Sequence, residues 1–205
     1  MSFYAFARGV VSLVSKLMYK VRYEGVEQVP EKGFVLCSNH ISQFDPIFVA
    51  VKLKPQCFFM AKEELFRFKP LAWALRHLGA FPVSRGDNDI QAVKTAIQAI
   101  KGGDNLLIFP EGTVIRNGIG CKDGLPAHAK AGVAVIGVRT GATMIPVFVD
   151  GEKKPFHRTR IIFGKPYIPV YTGRHGTSEE MQKIADDILA EAYALGGQTV
   201  GGEPL

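Results

Sequence analysis

The spacing of apolar positions changes along this chain, and each change marks an element. Over residues 3–18, Phe3, Tyr4, Phe6, Ala7, Val10, Val11, Leu13, Val14, Leu17 and Met18 predict a helix. Arg8, Ser12, Lys16 and Lys20 recur at every fourth position and lay a basic stripe along it. Residues 21–37 read as strand, turn, strand, with Val29-Pro30-Glu31-Lys32-Gly33 as the turn. Phe34-Val35-Leu36-Cys37 is wholly apolar, the pattern of a strand covered on both faces. A helix over roughly 46–52 follows, then a strand over 56–60 and a short helix that Pro70 opens and that ends near Gly79.

Ala80 to Gly86 reads as a strand running out into a loop. Ile90, Val93, Ile97 and Ile100 mark one face of a helix entered at Asp87 or Asn88 and closed by Gly102-Gly103. Leu106–Phe109 is another buried strand, and 114–129 is loop-like. Residues 131–140 are apolar nearly all round. Their β-branched members allow a strand, but Gly141 as a stop and a strand over 144–149 favour a buried helix. A short strand over 160–163 precedes a capped helix that opens at Ser178-Glu179-Glu180-Met181 and reaches about Leu195, and the glycine-rich tail is expected to fray. Strands alternating with helices predict an α/β layered sandwich, with a mostly parallel central sheet flanked by helices. Residues 1–20 form a separate N-terminal amphipathic helix, and 21–197 form the main domain.

Composition narrows the partners. The chain has 205 residues, 47% of them hydrophobic, enough for one full α/β core. Its net charge of +6 suits an anionic partner: nucleic acid, phospholipid surface or phosphorylated substrate. Against nucleic acid, there is no helix-turn-helix or RNP signature, and the basic residues are scattered. Cys37, Cys57 and Cys121 are widely spaced, so they suggest neither a disulfide framework nor a zinc site, and a reducing, cytosolic setting follows. His77 belongs at a helix end and His128, His157 and His175 in loops, without metal-ligand spacing. No phosphate-binding loop, dinucleotide fingerprint or nucleophile elbow is present. Only seven uncharged residues separate Arg8 from Lys16, too few to span a bilayer. The N-terminal helix therefore either lies in a membrane interface or docks on its own domain. The run Leu65-Phe66-Arg67-Phe68-Lys69-Pro70-Leu71-Ala72-Trp73 suits a membrane surface too, although Leu71 and Trp73 are equally core candidates.

The candidate chemistry sits between the buried 34–37 strand and the next helix, in Ser38-Asn39-His40-Ile41-Ser42-Gln43-Phe44-Asp45-Pro46. Asp45-Pro46 is a helix-entry signal, with Asp as cap and Pro at the first helical position. Five residues turn 500° on a helix, which sets His40 and Asp45 apart, and on a strand an odd separation points them to opposite faces. Only a loop folded back on itself joins them. One Asp45 oxygen would then cap the helix, and the other would accept Nδ1–H of His40 and leave Nε2 as a general base. The plainer alternative is a simple N-cap beside a loop histidine. Arg85 offers a guanidinium fork suited to phosphate, or is a solvated arginine after a strand. Gly112 permits a tight turn and close approach to a ligand.

Four blocks occur in order: Asn39-His40-x4-Asp45, Gly79-x-Phe81-Pro82-Val83-x-Arg85, Phe109-Pro110-Glu111-Gly112-Thr113 and Ile145-Pro146-Val147. Together they resemble the glycerolipid acyltransferase family, in its bacterial 1-acyl-glycerol-3-phosphate branch, over about residues 20–170. The resemblance implies transfer of a fatty acyl group from acyl-CoA or acyl-carrier protein to the free hydroxyl of lysophosphatidate, without any further cofactor. It makes 21–197 an acyltransferase domain, with His40 as base and Asp45 as its orienter. Arg85 and Glu111-Gly112-Thr113 would hold the glycerol-phosphate end, and Lys130 and Gly132 match a family Lys-x-Gly block near the acceptor. Many members carry arginine directly after the threonine. Val114 stands there instead, and Arg116 matches a second basic position, which bears on headgroup preference. The implied setting is a peripheral enzyme on the cytoplasmic face of the membrane. Another lysophospholipid or glycerol-3-phosphate is an alternative acceptor, and a lipid hydrolase using Cys37 or Ser42 is an alternative class.

Overall fold

The computed structural model describes residues 3–53, 56–83, 90–116, 120–122, 125–151, 157–203 and 205. Helix α1 (Phe3–Met18) leads into β1 (Lys20–Glu24), then β2 (Phe34–Ser38), α2 (Asp45–Ala50) and β3 (Cys57–Lys62). Next come α3 (Lys69–His77), β4 (Ala80–Val83), α4 (Ile90–Lys101) and β5 (Asn105–Ile108). A two-residue pair, β6 (Cys121–Lys122) and β7 (Leu125–Pro126), interrupts the loop before α5 (Gly132–Thr140). Strands β8 (Thr143–Asp150) and β9 (Arg158–Phe163) and helix α6 (Ser178–Ala194) complete the chain.

Seven strands form one sheet in the order β1-β9-β8-β2-β5-β3-β4. All its pairings are parallel except β8 with β9. The predicted layered sandwich with a mostly parallel sheet is therefore the observed architecture. The two strands of 21–37 do not pair with each other, because β1 lies at the far edge beside β9 and β2 sits at the centre.

Alternation along the central strands builds two cores. Val35 and Cys37 of β2, Leu106 and Ile108 of β5, and Met144 and Phe148 of β8 face α4, α5 and α6. Phe34, Leu36, Leu107, Ile145 and Val147 face the opposite way, towards α2. Strands buried on both sides read as continuous apolar runs, which is why β2 and β5 stand out in the sequence. Pro146 occupies the middle of β8 without disturbing the β2 ladder. Its carbonyl accepts Gly164 N–H at 2.8 Å, so its missing donor faces the side where β9 runs out.

Helix α6 starts with a reciprocal cap. Thr177 accepts Glu180 N–H and Glu180 accepts Thr177 N–H. Beyond it the tail does not fray. Thr199 N–H donates to Glu203 O at 2.8 Å, and the Cys121 thiol donates to Gly201 O at 3.6 Å, so the glycines let the chain fold back onto the β6–β7 loop.

Helix α1 docks on the α2 side. Arg8 Nη1 donates to Leu53 O at 2.7 Å, while Phe6, Val10 and Leu13 project outwards, Phe6 63% and Leu13 60% exposed. The basic Arg8 thus faces the domain and an apolar stripe faces away from it. Phe68, Leu71 and Trp73 are exposed as well, so Leu71 and Trp73 are surface rather than core. Helix α3 continues in the same direction across the sheet as α2, so right-handed crossovers place both on the α1 face.

Candidate active site

The site forms where β2 and β5, adjacent parallel strands, end together. Ligand crevices of open α/β sheets open at the carboxyl ends of strands. Asn39 continues the β2–β8 ladder with its side chain. Its Oδ1 accepts Val149 N–H at 2.7 Å and its Nδ2 donates to Val149 O at 2.9 Å. The backbone is thereby free to turn outwards, and His40 is the first residue of that turn.

The loop closes on Asp45, which is fully buried. One oxygen, Oδ2, accepts three donors: His40 Nδ1–H at 3.0 Å, Ile41 N–H at 2.8 Å and Ser42 N–H at 2.7 Å. The five-residue spacing thus brings imidazole and carboxylate together through a fold-back loop. Asp45 does not cap α2 as expected; Phe44 holds the cap position with no side-chain bond. The carboxylate points back into the loop because two main-chain N–H groups and the imidazole offer three donors there. The His40 ring stacks on Phe109 with centroids 4.0 Å apart. With Nδ1–H committed to Asp45, Nε2 is the nitrogen left to act as a base.

The β5 loop packs beneath. Gly112 adopts φ 66° and donates to Phe109 O at 3.0 Å, a turn that glycine makes without strain. Glu111, expected at the ligand, is only 6% exposed and turns inwards. Its Oε2 accepts His40 N–H at 2.7 Å and its Oε1 accepts the Tyr193 hydroxyl at 2.6 Å. Burial pushes the Glu111 carboxyl up to about 7, the two hydrogen bonds pull against that rise, and the Asp45 charge adds to it. Ile115 N–H donates to His40 O at 2.6 Å, which sets Arg116 one residue beyond the His40 main chain.

Gly112 also lets a cation approach. A Cβ built there would meet Lys130 Cε at 2.7 Å, so the lysine stem lies directly over this glycine. Lys130 N–H donates to Pro110 O at 2.8 Å. The preceding Ala129 is gripped by α6, through Asp186 at 2.9 Å and Gln182 at 2.8 Å. Lys130 and Arg116 are exposed, and Thr113 is half-buried. His40, Asp45, Glu111, Gly112, Thr113, Arg116 and Lys130 therefore gather at one end of the sheet. Arg85 lies outside the described residues.

Cys37, the thiol candidate for a hydrolase, is fully buried and donates to Val35 O. Burial pushes its thiol far up, away from the thiolate a nucleophile needs. Ser42 Oγ accepts Phe44 N–H at 3.3 Å, a local turn contact.

Sequence reasoning passed over Asn39 as a structural rung, Phe109 as the ring beneath His40, and Tyr193. The last had a signal. A tyrosine on the face of α6 that carries Met181, Ile184, Ile188 and Leu189 is buried among apolar groups, and its hydroxyl requires a partner.

An imidazole oriented by a buried carboxylate thus lies at the same end of the sheet as the exposed Lys130 and Arg116. Residues 20–150 match the family model described as Acyltransferase, and the chain belongs to that family. It is 30% identical over 207 residues to the 1-acyl-sn-glycerol-3-phosphate acyltransferase of Streptococcus pneumoniae, spanning 96% of this chain and 74% of that protein. The Bacillus subtilis enzyme of the same name is 32% identical over 133 residues, 64% of this chain and 67% of the relative. Among solved structures, the 1-acyl-sn-glycerophosphate acyltransferase PlsC of Thermotoga maritima superposes with TM-score 0.65 and 25% identity, covering 97% of this chain and 85% of that one.

Proposed function

We propose that this enzyme moves a fatty acyl group from acyl-CoA or acyl-carrier protein to the free hydroxyl of 1-acyl-glycerol-3-phosphate, giving phosphatidate. The observation that carries the reading is the contact of His40 Nδ1 with buried Asp45 at 3.0 Å, at the mouth of a loop flanked by Lys130 and Arg116.

His40 Nε2 takes the proton of the acceptor hydroxyl as its oxygen attacks the thioester carbonyl. The tetrahedral oxyanion is met by main-chain N–H groups of the surrounding loops. Collapse breaks the C–S bond, and the departing thiolate receives the proton from the imidazolium. Asp45 stabilises that imidazolium and holds the ring in the productive tautomer. Such a base contributes about 10²–10⁴-fold, and the pairing of two bound substrates supplies much of the remainder. Lys130 and Arg116, with Arg85, counter the acceptor phosphate, and Thr113 lines its approach.

The enzyme works as a peripheral protein on the cytoplasmic face of a membrane. No helix among the described residues is long and apolar enough to cross a bilayer. Phe6, Val10 and Leu13 of α1 instead form an exposed apolar stripe, with Phe68, Leu71 and Trp73 exposed on α3 and its approach. These would sink into the interface and bring the site to the lipid tails of both substrates.

His40→Ala tests the mechanism: a purified, folded variant loses transfer from either donor to lysophosphatidate. Transfer at near wild-type rate would refute the imidazole as base. Parallel assays with lysophosphatidylcholine and glycerol-3-phosphate identify the headgroup that Val114 and Arg116 favour.

A further inference from the structure

We propose that Tyr193, on the C-terminal helix and beyond the residues that match the family model, is a positioning residue that holds His40 through Glu111. The proposal rests on His40 as the base and extends that reading.

One carboxylate links the tyrosine hydroxyl to the catalytic loop. The hydroxyl donates to Glu111 Oε1 at 2.6 Å, and the other oxygen of the same carboxylate accepts the main-chain N–H of His40 at 2.7 Å. Asn39, the residue before His40, is itself pinned to Val149 of β8 through both ends of its amide. The hydroxyl therefore braces the catalytic loop through Glu111. The ring itself is immobilised. Tyr193 is 0% exposed, Phe148 packs edge-on against it at 6.0 Å, and a Cβ at Gly120 would meet its Cζ and Oη at 2.7 Å. Gly120 takes φ 69°, so the loop after the site wraps closely over the phenol.

This arrangement reassigns Glu111. A carboxylate turned inwards, with both oxygens occupied, does not reach the acceptor phosphate, which would repel it. Its charge instead strengthens the bond to the His40 N–H, since hydrogen bonds to ionised groups are the stronger ones. The groups facing it are Tyr193 from α6 and His40 and Asp45 from the catalytic loop, with Cys121 of β6 acting on the tyrosine. Lys130 lies above the adjoining Gly112. Deleting the tyrosine hydroxyl removes a bond that favours the ionised form of Glu111, so protonation of the acid moves to higher pH.

The test is Tyr193→Phe in the full chain, assayed with a donor and acceptor for which transfer depends on His40. The ring is retained, so the packing against Gly120 and Phe148 is kept. We expect kcat to fall about tenfold with KM for the acceptor changed by less than about twofold, and the acid limb of the kcat profile to move to higher pH. In a Glu111→Gln background the same substitution produces no further shift of the limb. A folded Tyr193→Phe enzyme with wild-type kcat and an unmoved profile would overturn the proposal, as would a loss confined to KM. Should Tyr193→Phe not fold, Glu111→Gln alone decides: an altered acid limb at unchanged KM supports the brace, and a wild-type profile rejects it. An active His40→Ala enzyme would remove the base itself, an outcome distinct from either.

Discussion

Two loops leave adjacent strands at the same end of the sheet, and they use their polar residues in opposite ways. The loop after β2 is closed on itself: Asp45 Oδ2 collects three donors and leaves one imidazole nitrogen for chemistry. The loop after β5 buries its acid under its neighbour and directs its cations outwards, with Glu111 bonded to His40 N–H and Lys130 and Arg116 exposed. The acid of the Glu111-Gly112-Thr113 block thus bonds to the other loop, while Lys130 and Arg116 lie on the exposed side. A motif that reads as one ligand-binding unit is divided between a buried acid that supports the neighbouring loop and cations that face solvent.

The largest effect that would break this comparison comes from the closed loop. Asp45→Asn keeps an acceptor for the two N–H groups but removes the charge that stabilises the imidazolium. It should lower kcat by about ten-thousandfold, by analogy with serine-protease triads, while circular dichroism stays native. A fall under about tenfold would mean that Asp45 only holds the loop. Next is Glu111→Gln, read by thermal unfolding against pH. Burial raises this carboxyl from 4.5 to about 7, so between those values the folded chain holds a proton that the unfolded chain releases. Stability therefore declines as pH rises through that window, by up to about 3 kcal/mol. The Gln variant should lose this slope and exceed the wild type in stability above pH 7. An unchanged slope would show that the acid is better solvated than its burial implies.

Lys130→Ala sharpens the outward half of the contrast. KM for lysophosphatidate should rise about tenfold with little change in kcat, the signature of lost ground-state binding. A drop in kcat at constant KM would assign Lys130 to the reaction itself. The smallest effect is expected from Cys37→Ala. Fully buried in β2 and far from its thiolate form, this cysteine contributes packing, so kcat should stay within about twofold at modest cost in unfolding temperature. Loss of activity in a folded variant would revive the thiol nucleophile.

Local signals carried much of this. The apolar runs at 34–37 and 106–109, the 3.6-residue spacing of Ile90, Val93, Ile97 and Ile100, and the cap at the start of α6 are properties of neighbouring residues, and those elements formed where they were expected. The need for a fold-back loop between His40 and Asp45 was also legible, because five residues exclude both regular structures. The outward face of α1 was not, since an amphipathic helix has two faces and only the partner decides which is covered. Arg8 reaching Leu53 O is a contact across 45 residues.

By itself the sequence determined the order of strands and helices, the family blocks and the residue types that can perform acyl transfer. Those follow from short-range periodicity and from the intrinsic chemistry of side chains. Tertiary structure alone decided that Glu111 faces inwards, that one Asp45 oxygen takes all three donors, and that a tyrosine 82 residues further on completes the brace. The reason is physical. A buried polar group must find its partner wherever the packed chain delivers one, and that depends on contacts between segments that have no register with each other until the sheet is assembled.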